Sequence, residues 1–178
     1  NGAPIKRTGG FCTGPISLME MVNETGRHIM QGGQRRSAIW AGLNWDHQDT
    51  MQFIHLKDHT PELKSLKEKD FNFRLPMEFT NISVIYDTNF FIAIEDETHP
   101  NHANAKKIWL ENCKQAFSTA EPGMSFNFRK DAESLRNACT EVTSEDDSDK
   151  CNLGTVWMNR CKDKAEFAEV VKYSTLFL

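Results

Sequence analysis

Short apolar runs alternate with amphipathic stretches along this chain, and the alternation predicts a mixed α/β fold. Segments 37–43 and 81–86 are short and mainly apolar, which favours buried strands, and 124–128 alternates apolar and polar residues like a third strand. Other segments have apolar residues at helical spacing. Helices are predicted over 14–31, ending at the Gly-Gly pair 32–33, and over 49–56, 88–94, 102–117 and 164–178.

Three polar segments lie outside this pattern. Segment 2–10 holds three glycines and a proline and predicts a mobile loop. Segment 62–75 is charged and irregular, which is typical of a surface connection. The stretch beyond residue 128 is also polar and contains an amide, two thiols and a carboxyl in close succession. We therefore expect the chemistry of the protein to lie in this last stretch.

Composition excludes two classes of partner. The formal net charge is -4 with acidic and basic residues mixed, so no broad basic surface for a nucleic-acid polymer is expected. No apolar run approaches the roughly 20 residues of a bilayer span.

The five cysteines follow no secretory signal, which indicates reduced thiols and a cytoplasmic protein. A start without Met and a helical, apolar end predict a piece of a longer chain.

One pentapeptide carries candidate chemistry. Asn137, Cys139 and Glu141 stand at alternate positions, so in an extended segment their side chains would point to one side. A hydrogen-bonding amide, a sulfur able to act as nucleophile or radical, and an acid/base group could then meet one small substrate. The alternative is a loop with an inert cysteine and two solvated polar residues. No spacing in the chain indicates a metal site, and the acidic run 145–149 is interpreted as a solvated turn.

The Asn-x-Cys-x-Glu pattern, followed by Cys-Asn-Leu-Gly at 151–154, resembles the active-site finger loop of ribonucleotide reductase large subunits. Further segments resemble blocks of the same family in the same order, so the resemblance extends over nearly the whole chain. These segments are 2–10, 31–36, 39–45, 81–84 and 121–123.

The resemblance implies a fold and a set of roles. Residues 1–178 would be a single piece of a ten-stranded α/β barrel with the finger loop, within 137–151, at its centre. Cys139 would be the thiyl radical that abstracts the ribose 3′-hydrogen. Glu141 would take the 3′-hydroxyl proton, and Asn137 would hydrogen-bond the ribose. Cys151 would supply reducing equivalents and end in a disulfide with a cysteine that the family places upstream of this sequence.

The resemblance also assigns the opening segment 1–10 to the loop that couples an allosteric effector to substrate choice. Lys6 and Arg7 carry positive charge beside Gly9 and Gly10, and fixed charge with exposed backbone amides suits phosphates. The implied ligands are a ribonucleoside di- or triphosphate substrate and a nucleoside triphosphate effector. The implied reductant is thioredoxin or a similar dithiol, and the parent chain is a candidate homodimer.

The opening 9–17 and the segment 40–45 look most like the adenosylcobalamin-dependent branch of the family, which implies cobalamin, and hence cobalt, as cofactor. Two alternatives stay open. One is a reductase whose radical comes from a metal-containing partner subunit, and the other is a nucleotide-binding module without catalysis. In the first two cases the product is deoxyribonucleotide for DNA replication, and the isolated piece is expected to be inactive.

Overall fold

The computed structural model describes residues 1–33, 35–128, 135–144 and 151–178. The chain divides into two compact units, Asn1–Thr143 and Ser144–Leu178, each described by itself below. The elements, in chain order, are α1 Gly14–His28, β1 Met30–Gln31, β2 Arg35–Arg36, β3 Ile39–Asn44, α2 Thr50–Ile54, α3 Pro61–Lys69, β4 Thr80–Asp87, α4 Thr88–Glu95, α5 His102–Thr119, β5 Gly123–Asn127, β6 Leu135–Arg136, β7 Thr143–Ser144, a short 3-10 helix Met158–Arg160 and α6 Lys164–Phe177.

A three-stranded parallel sheet forms the centre of the first unit, in the order β3-β4-β5. Between β3 and β4, Ile39 pairs with Thr80, and between β4 and β5, Ser83 pairs with Gly123. The middle strand β4 combines four apolar residues with four polar ones, and every position except Asn81 and Asp87 is buried, as a central parallel strand requires. The predicted strands are confirmed, and so is the α/β class.

The core lies between this sheet and the helices that follow its strands. Tyr86 on β4 and Phe90 on α4 have ring centroids 4.5 Å apart, and Trp109 on α5 lies 5.2 Å from Tyr86 and 5.6 Å from Phe90. Tyr86 and Phe90 are almost fully buried. Rings at these separations contribute packing energy beyond the area that they bury. The aromatic cluster therefore fixes α4 and α5 against the sheet.

Helix α1 packs closely on β3 and the residues just before it because Gly26 has no side chain. A Cβ placed there would come 2.5 Å from Cδ1 of Ile39 and 3.1 Å from Oγ of Ser37. A larger residue at this position would require the Ile39 and Ser37 side chains to shift, so the glycine lets helix and strand approach without displacing them. The same helix contributes the buried Asn23, whose Oδ1 accepts hydrogen bonds from the Phe79 amide and the Thr80 hydroxyl.

Two predicted elements end or begin elsewhere. The helix predicted to reach residue 31 stops at His28, because 30–31 pair with 35–36 as a small antiparallel hairpin. The run 37–43 forms its strand within β3, but there only Leu43 is buried and residues 39–42 are half-buried. The prediction that it would be covered on both faces is therefore wrong for this sheet.

The irregular connection predicted over 62–75 is also wrong in its first half, since 61–69 form helix α3. Thr60 caps it by accepting the Leu63 amide, and Pro61 occupies its first turn. These are the ordinary signals of a helix start. The high charge of the segment reflects an exposed helix rather than a loop.

The opening segment folds back on itself. Ala3 and Cys12 are joined by a backbone hydrogen bond of 2.8 Å, and Ile5 and Gly10 by another of the same length. Pro4 and Phe11 form an isolated antiparallel bridge. The predicted loop is therefore closed at its base by main-chain hydrogen bonds.

The second unit contains helix α6, as predicted. Asp163 accepts the Glu166 amide at 2.8 Å, and the Glu166 carboxylate accepts the Lys162 amide at 2.6 Å. This reciprocal pair stabilises the start of the helix. Within the described parts of both units, no helix is both long and apolar enough to cross a membrane.

Candidate active-site turn

The pentapeptide singled out above lies in a tight turn between β6 and β7. The Thr140 amide donates to the Asn137 carbonyl at 3.0 Å, and the Asn137 amide donates to the Val142 carbonyl at 3.3 Å. Thr140 has a φ of 72°, in the left-handed region. The expectation of an extended segment is therefore wrong, because a turn does not place alternate side chains on one face. We call residues 137–142 the cysteine turn.

The Asn137 side chain helps to close the cysteine turn. Its Oδ1 accepts the Val142 amide at 3.2 Å, so the acceptor of this amide group is used inside the protein. The two hydrogens on Nδ2 are the ones that can be donated to a ligand. Asn137 can thus hold the turn and bind a hydroxyl oxygen with opposite ends of the same group.

Cys139 lies at the tip of the cysteine turn and is exposed, and Glu141 is exposed as well. An exposed thiol and carboxylate two residues apart are open to a ligand arriving from outside this unit. The turn therefore brings together three of the four predicted catalytic residues, although not in the geometry that the sequence predicted.

Contacts to all three strands of the sheet hold the cysteine turn in place. Nδ2 of Asn81, on β4, donates to the Ala138 carbonyl at 2.6 Å. Arg136 donates from Nη2 to the Phe126 carbonyl on β5 at 3.2 Å, and its guanidinium carbon lies 5.9 Å from the ring centre of Trp40 on β3. Sequence reasoning singled out neither Asn81 nor Arg136. The polar Asn81, the second residue of β4, was an available signal for this contact.

Cys151, the fourth predicted catalytic residue, belongs to the second unit and is exposed. The next residue, Asn152, donates from Nδ2 to the Leu178 carbonyl at 2.8 Å. The acidic run 145–149, interpreted as a solvated turn, lies outside the described residues.

The predicted nucleotide loop exposes its two cations. Lys6, Arg7 and Gly9 are all exposed, and Gly9 has a positive φ of 67°. The Gly9 amide donates to the Ile5 carbonyl at 3.0 Å. The Gly9 amide is therefore already hydrogen-bonded within the loop. The sequence had suggested that it would be open to a phosphate, and this is not the case. Phosphate binding at this loop would depend on the two side-chain charges, with Gly10 shaping the turn.

Comparison with known proteins decides the family. Residues 1–99, more than half of the chain, match the family model described as ribonucleotide reductase, barrel domain. The chain belongs to this family. The ribonucleotide reductase resemblance noted in the sequence is thereby confirmed at the level of the family.

Curated relatives of the same family match more of the chain. A vitamin B12-dependent ribonucleoside-diphosphate reductase of Thermoplasma acidophilum is 33% identical over 130 residues, which cover 67% of this chain and 15% of that protein. The large chain of ribonucleoside-diphosphate reductase from Cryptosporidium parvum is 25% identical over 92% of this chain and 25% of its own length. The large subunit from Caenorhabditis elegans is 24% identical over 98% and 27%. This ribonucleotide reductase chain thus spans between 15 and 27% of the length of these relatives.

Proposed function

We propose that this chain is part of the catalytic subunit of a ribonucleotide reductase, in which Cys139 carries the radical that activates the ribose. The observation that carries the proposal is the cysteine turn itself. It presents an amide, an exposed thiol and a carboxylate within five residues, in a chain of the ribonucleotide reductase family. The non-catalytic nucleotide-binding module has no comparable use for this set.

Each proposed role follows from the chemistry of its side chain. The Cys139 thiyl takes the hydrogen atom from C3′ and becomes a thiol, while Glu141 accepts the 3′-hydroxyl proton. Asn137 donates from Nδ2 to a ribose hydroxyl. The 2′-hydroxyl leaves as water, and two thiols supply the two electrons and close a disulfide; one thiol proton completes the water, the other ends on C2′, and Glu141 returns its proton to the 3′-oxygen. Cys151 is one of these thiols, and the other lies elsewhere in the parent protein. The hydrogen then returns to C3′, and the Cys139 radical is regenerated.

For the fold, we propose that β3, β4 and β5 are part of one parallel half-sheet of a ten-stranded barrel. The cysteine turn would then be the tip of the finger loop, and 1–178 would be one continuous piece of that barrel. In the parent protein other strands would surround the turn and exclude water from Glu141. Such exclusion makes a carboxylate a better base near neutral pH.

The source of the radical is the finer part of the proposal. An exposed thiol at the end of a turn suits any donor that approaches from outside this unit, and the 33% identical relative is named as B12-dependent. Adenosylcobalamin would supply the first radical by homolysis of its cobalt-carbon bond. No residue of this chain is assigned to hold the corrin ring. A metal-radical partner subunit is the alternative, since other relatives are named large chain or subunit alpha.

The remaining ligands follow from the same proposal. The substrate is a ribonucleoside di- or triphosphate, and a nucleoside triphosphate effector acts through the loop 1–10 with Lys6 and Arg7 as phosphate contacts. A thioredoxin-like dithiol would reduce the disulfide after each turnover. The parent would work as a cytoplasmic enzyme and as a homodimer.

The test replaces Cys139 by Ser in the full-length parent. Because an O-H bond is stronger than an S-H bond, the serine variant should lose deoxyribonucleotide formation altogether while it binds substrate and effector normally. Cys12→Ser is the matched control, since Cys12 is also exposed but lies far from the cysteine turn in sequence and should leave turnover unchanged. Multiple-turnover reduction by Cys139→Ser would remove Cys139 from the radical role.

A further inference from the structure

Radical transfer places a strict demand on the cysteine turn. A thiyl must meet one particular hydrogen of the ribose, and misplacement by about 1 Å can cost a factor of about 100 in rate. Cys139 lies at an exposed tip between β6 and β7, which form a two-stranded sheet separate from β3-β4-β5. Side chains outside the turn must therefore contribute to its position.

Asn81 provides the shorter of the two connections. It is the second residue of β4, where it pairs in register with Trp40 of β3. Its amide reaches the carbonyl of Ala138 at 2.6 Å, directly before Cys139 in the chain. Because the bond ends on the main chain, it fixes the peptide from which the Cys139 backbone continues.

Arg136 provides the second connection, directly before the turn. Its guanidinium lies over Trp40 at 5.9 Å, within the range of a cation-π contact, and also donates to the Phe126 carbonyl. A planar group that stacks and donates at once has few other orientations available. The turn is thus held through β3 and β5 at its start and through β4 at residue 138.

We propose that Asn81 and Arg136 are positioning residues that hold Cys139 at the distance that hydrogen abstraction requires. The proposal rests on the radical role of Cys139 proposed above. Neither side chain touches the substrate in this proposal, so both act through the backbone of the cysteine turn. Their loss should lower the rate of the chemical step and leave substrate binding intact.

The experiment compares variants of the full-length parent in steady-state reduction. Asn81→Ala removes the donor and should lower kcat by roughly 10- to 100-fold at an unchanged KM. Asn81→Gln keeps a donor and should restore part of the rate. Arg136→Met keeps an unbranched apolar stem but loses the hydrogen bond and the cation, and should also lower kcat at an unchanged KM.

Two matched controls separate these effects from a general loss of structure. Asn104→Ala removes an exposed amide from α5, and Arg160→Met removes an arginine that lies over Trp157 at 5.7 Å in the second unit. Both should keep wild-type kcat. Hydrogen exchange adds a readout independent of turnover: the Thr140 and Val142 amides, which close the turn, should exchange faster in Asn81→Ala and at the wild-type rate in both controls.

The outcomes distinguish this inference from the function on which it rests. If Cys139→Ser is inactive while Asn81→Ala and Arg136→Met keep full kcat and wild-type exchange in the turn, the positioning role is wrong and the radical role stands. If Cys139→Ser still turns over, the radical role fails first. Should Asn81→Ala fail to fold, Asn81→Asp, which keeps the size but loses the donor, takes its place under the same two readouts.

Discussion

Asn112 shows how one buried amide connects three elements of the first unit. It is completely buried on α5, accepts the Tyr86 hydroxyl of β4 at 2.9 Å, and donates to the Pro122 carbonyl before β5 at 2.9 Å. Burial, with a smaller contribution from Cys113, raises the pKa of the Tyr86 phenol, so it stays a neutral donor over the whole working range. The neutral phenol is the form that donates to Asn112.

Replacing Asn112 by Ala should destabilise the chain strongly. The change leaves the Tyr86 hydroxyl and the Pro122 carbonyl buried without this partner and opens a cavity, which together cost about 2 to 4 kcal/mol. Urea denaturation followed by tryptophan fluorescence would measure the loss in the free energy of unfolding. The exposed Asn104→Ala should change it by less than about 0.5 kcal/mol. A similar small change for both variants would contradict the role given to Asn112.

Helix α3 illustrates an element held by one cation. Lys67 donates to the Phe71 and Phe73 carbonyls, at 3.1 and 2.9 Å, and to the Glu78 carboxylate at 2.6 Å, so it ties the 70–78 connection to the helix. Burial alone would raise the pKa of Glu78, but the hydrogen bond and charge of Lys67, together with the Leu75 amide and the charge of Arg74, hold the pKa below its ordinary value. The ionised form of Glu78 is thus the one that stabilises the fold.

This pair predicts a pH dependence of defined sign. A carboxyl whose pKa is lowered in the folded state stabilises the fold fully when the pH is above its unfolded-state pKa of 4.5. This stabilisation is lost as the pH falls through the folded-state pKa. Lys67→Met should therefore cost about 1 kcal/mol at pH 7, and the difference from wild type should shrink below about pH 4. Thermal unfolding at a series of pH values would measure it. Lys69→Met, an exposed lysine of the same helix, is the control, and a pH-independent cost would count against the ion pair.

The same elements show what the sequence could predict. Local apolar patterns predicted five elements: β4, β5, α4, α5 and α6. In each of them the spacing of apolar residues along the sequence matches the period of the strand or helix. The pattern failed for α3, whose polar face hides the helical period although Thr60 and Pro61 mark its start. It failed for the cysteine turn because the geometry depends on Asn137 bonding a residue five positions away. No local period reports such a contact, or the tether from Asn81 across 57 positions.

At the scale of the whole molecule, the isolated chain should have no reductase turnover. Removal of the 2′-hydroxyl takes two electrons from a pair of thiols, and by family resemblance only Cys151 of that pair lies in this sequence. The chain also spans at most 27% of the length of the relatives compared above, so much of a barrel wall would be missing. The assay is deoxyribonucleotide formation by the purified chain with adenosylcobalamin, effector and dithiothreitol. Protected amides in β4 would show that the sample is folded, and catalytic turnover would mean that another cysteine serves as the second thiol.

The bond from Asn81 to residue 138 also has a consequence for sequence tolerance. Asn81 donates to a main-chain carbonyl, so the side chain at 138 takes no part in the hydrogen bond. The side chain at 81, in contrast, must supply the N–H donor. In a genetic selection for growth that depends on the parent enzyme, a library randomised at both codons should recover many small residues at 138 and almost only asparagine at 81. Positions 81 and 138 would then tolerate substitution to very different degrees, although the two residues share a single contact.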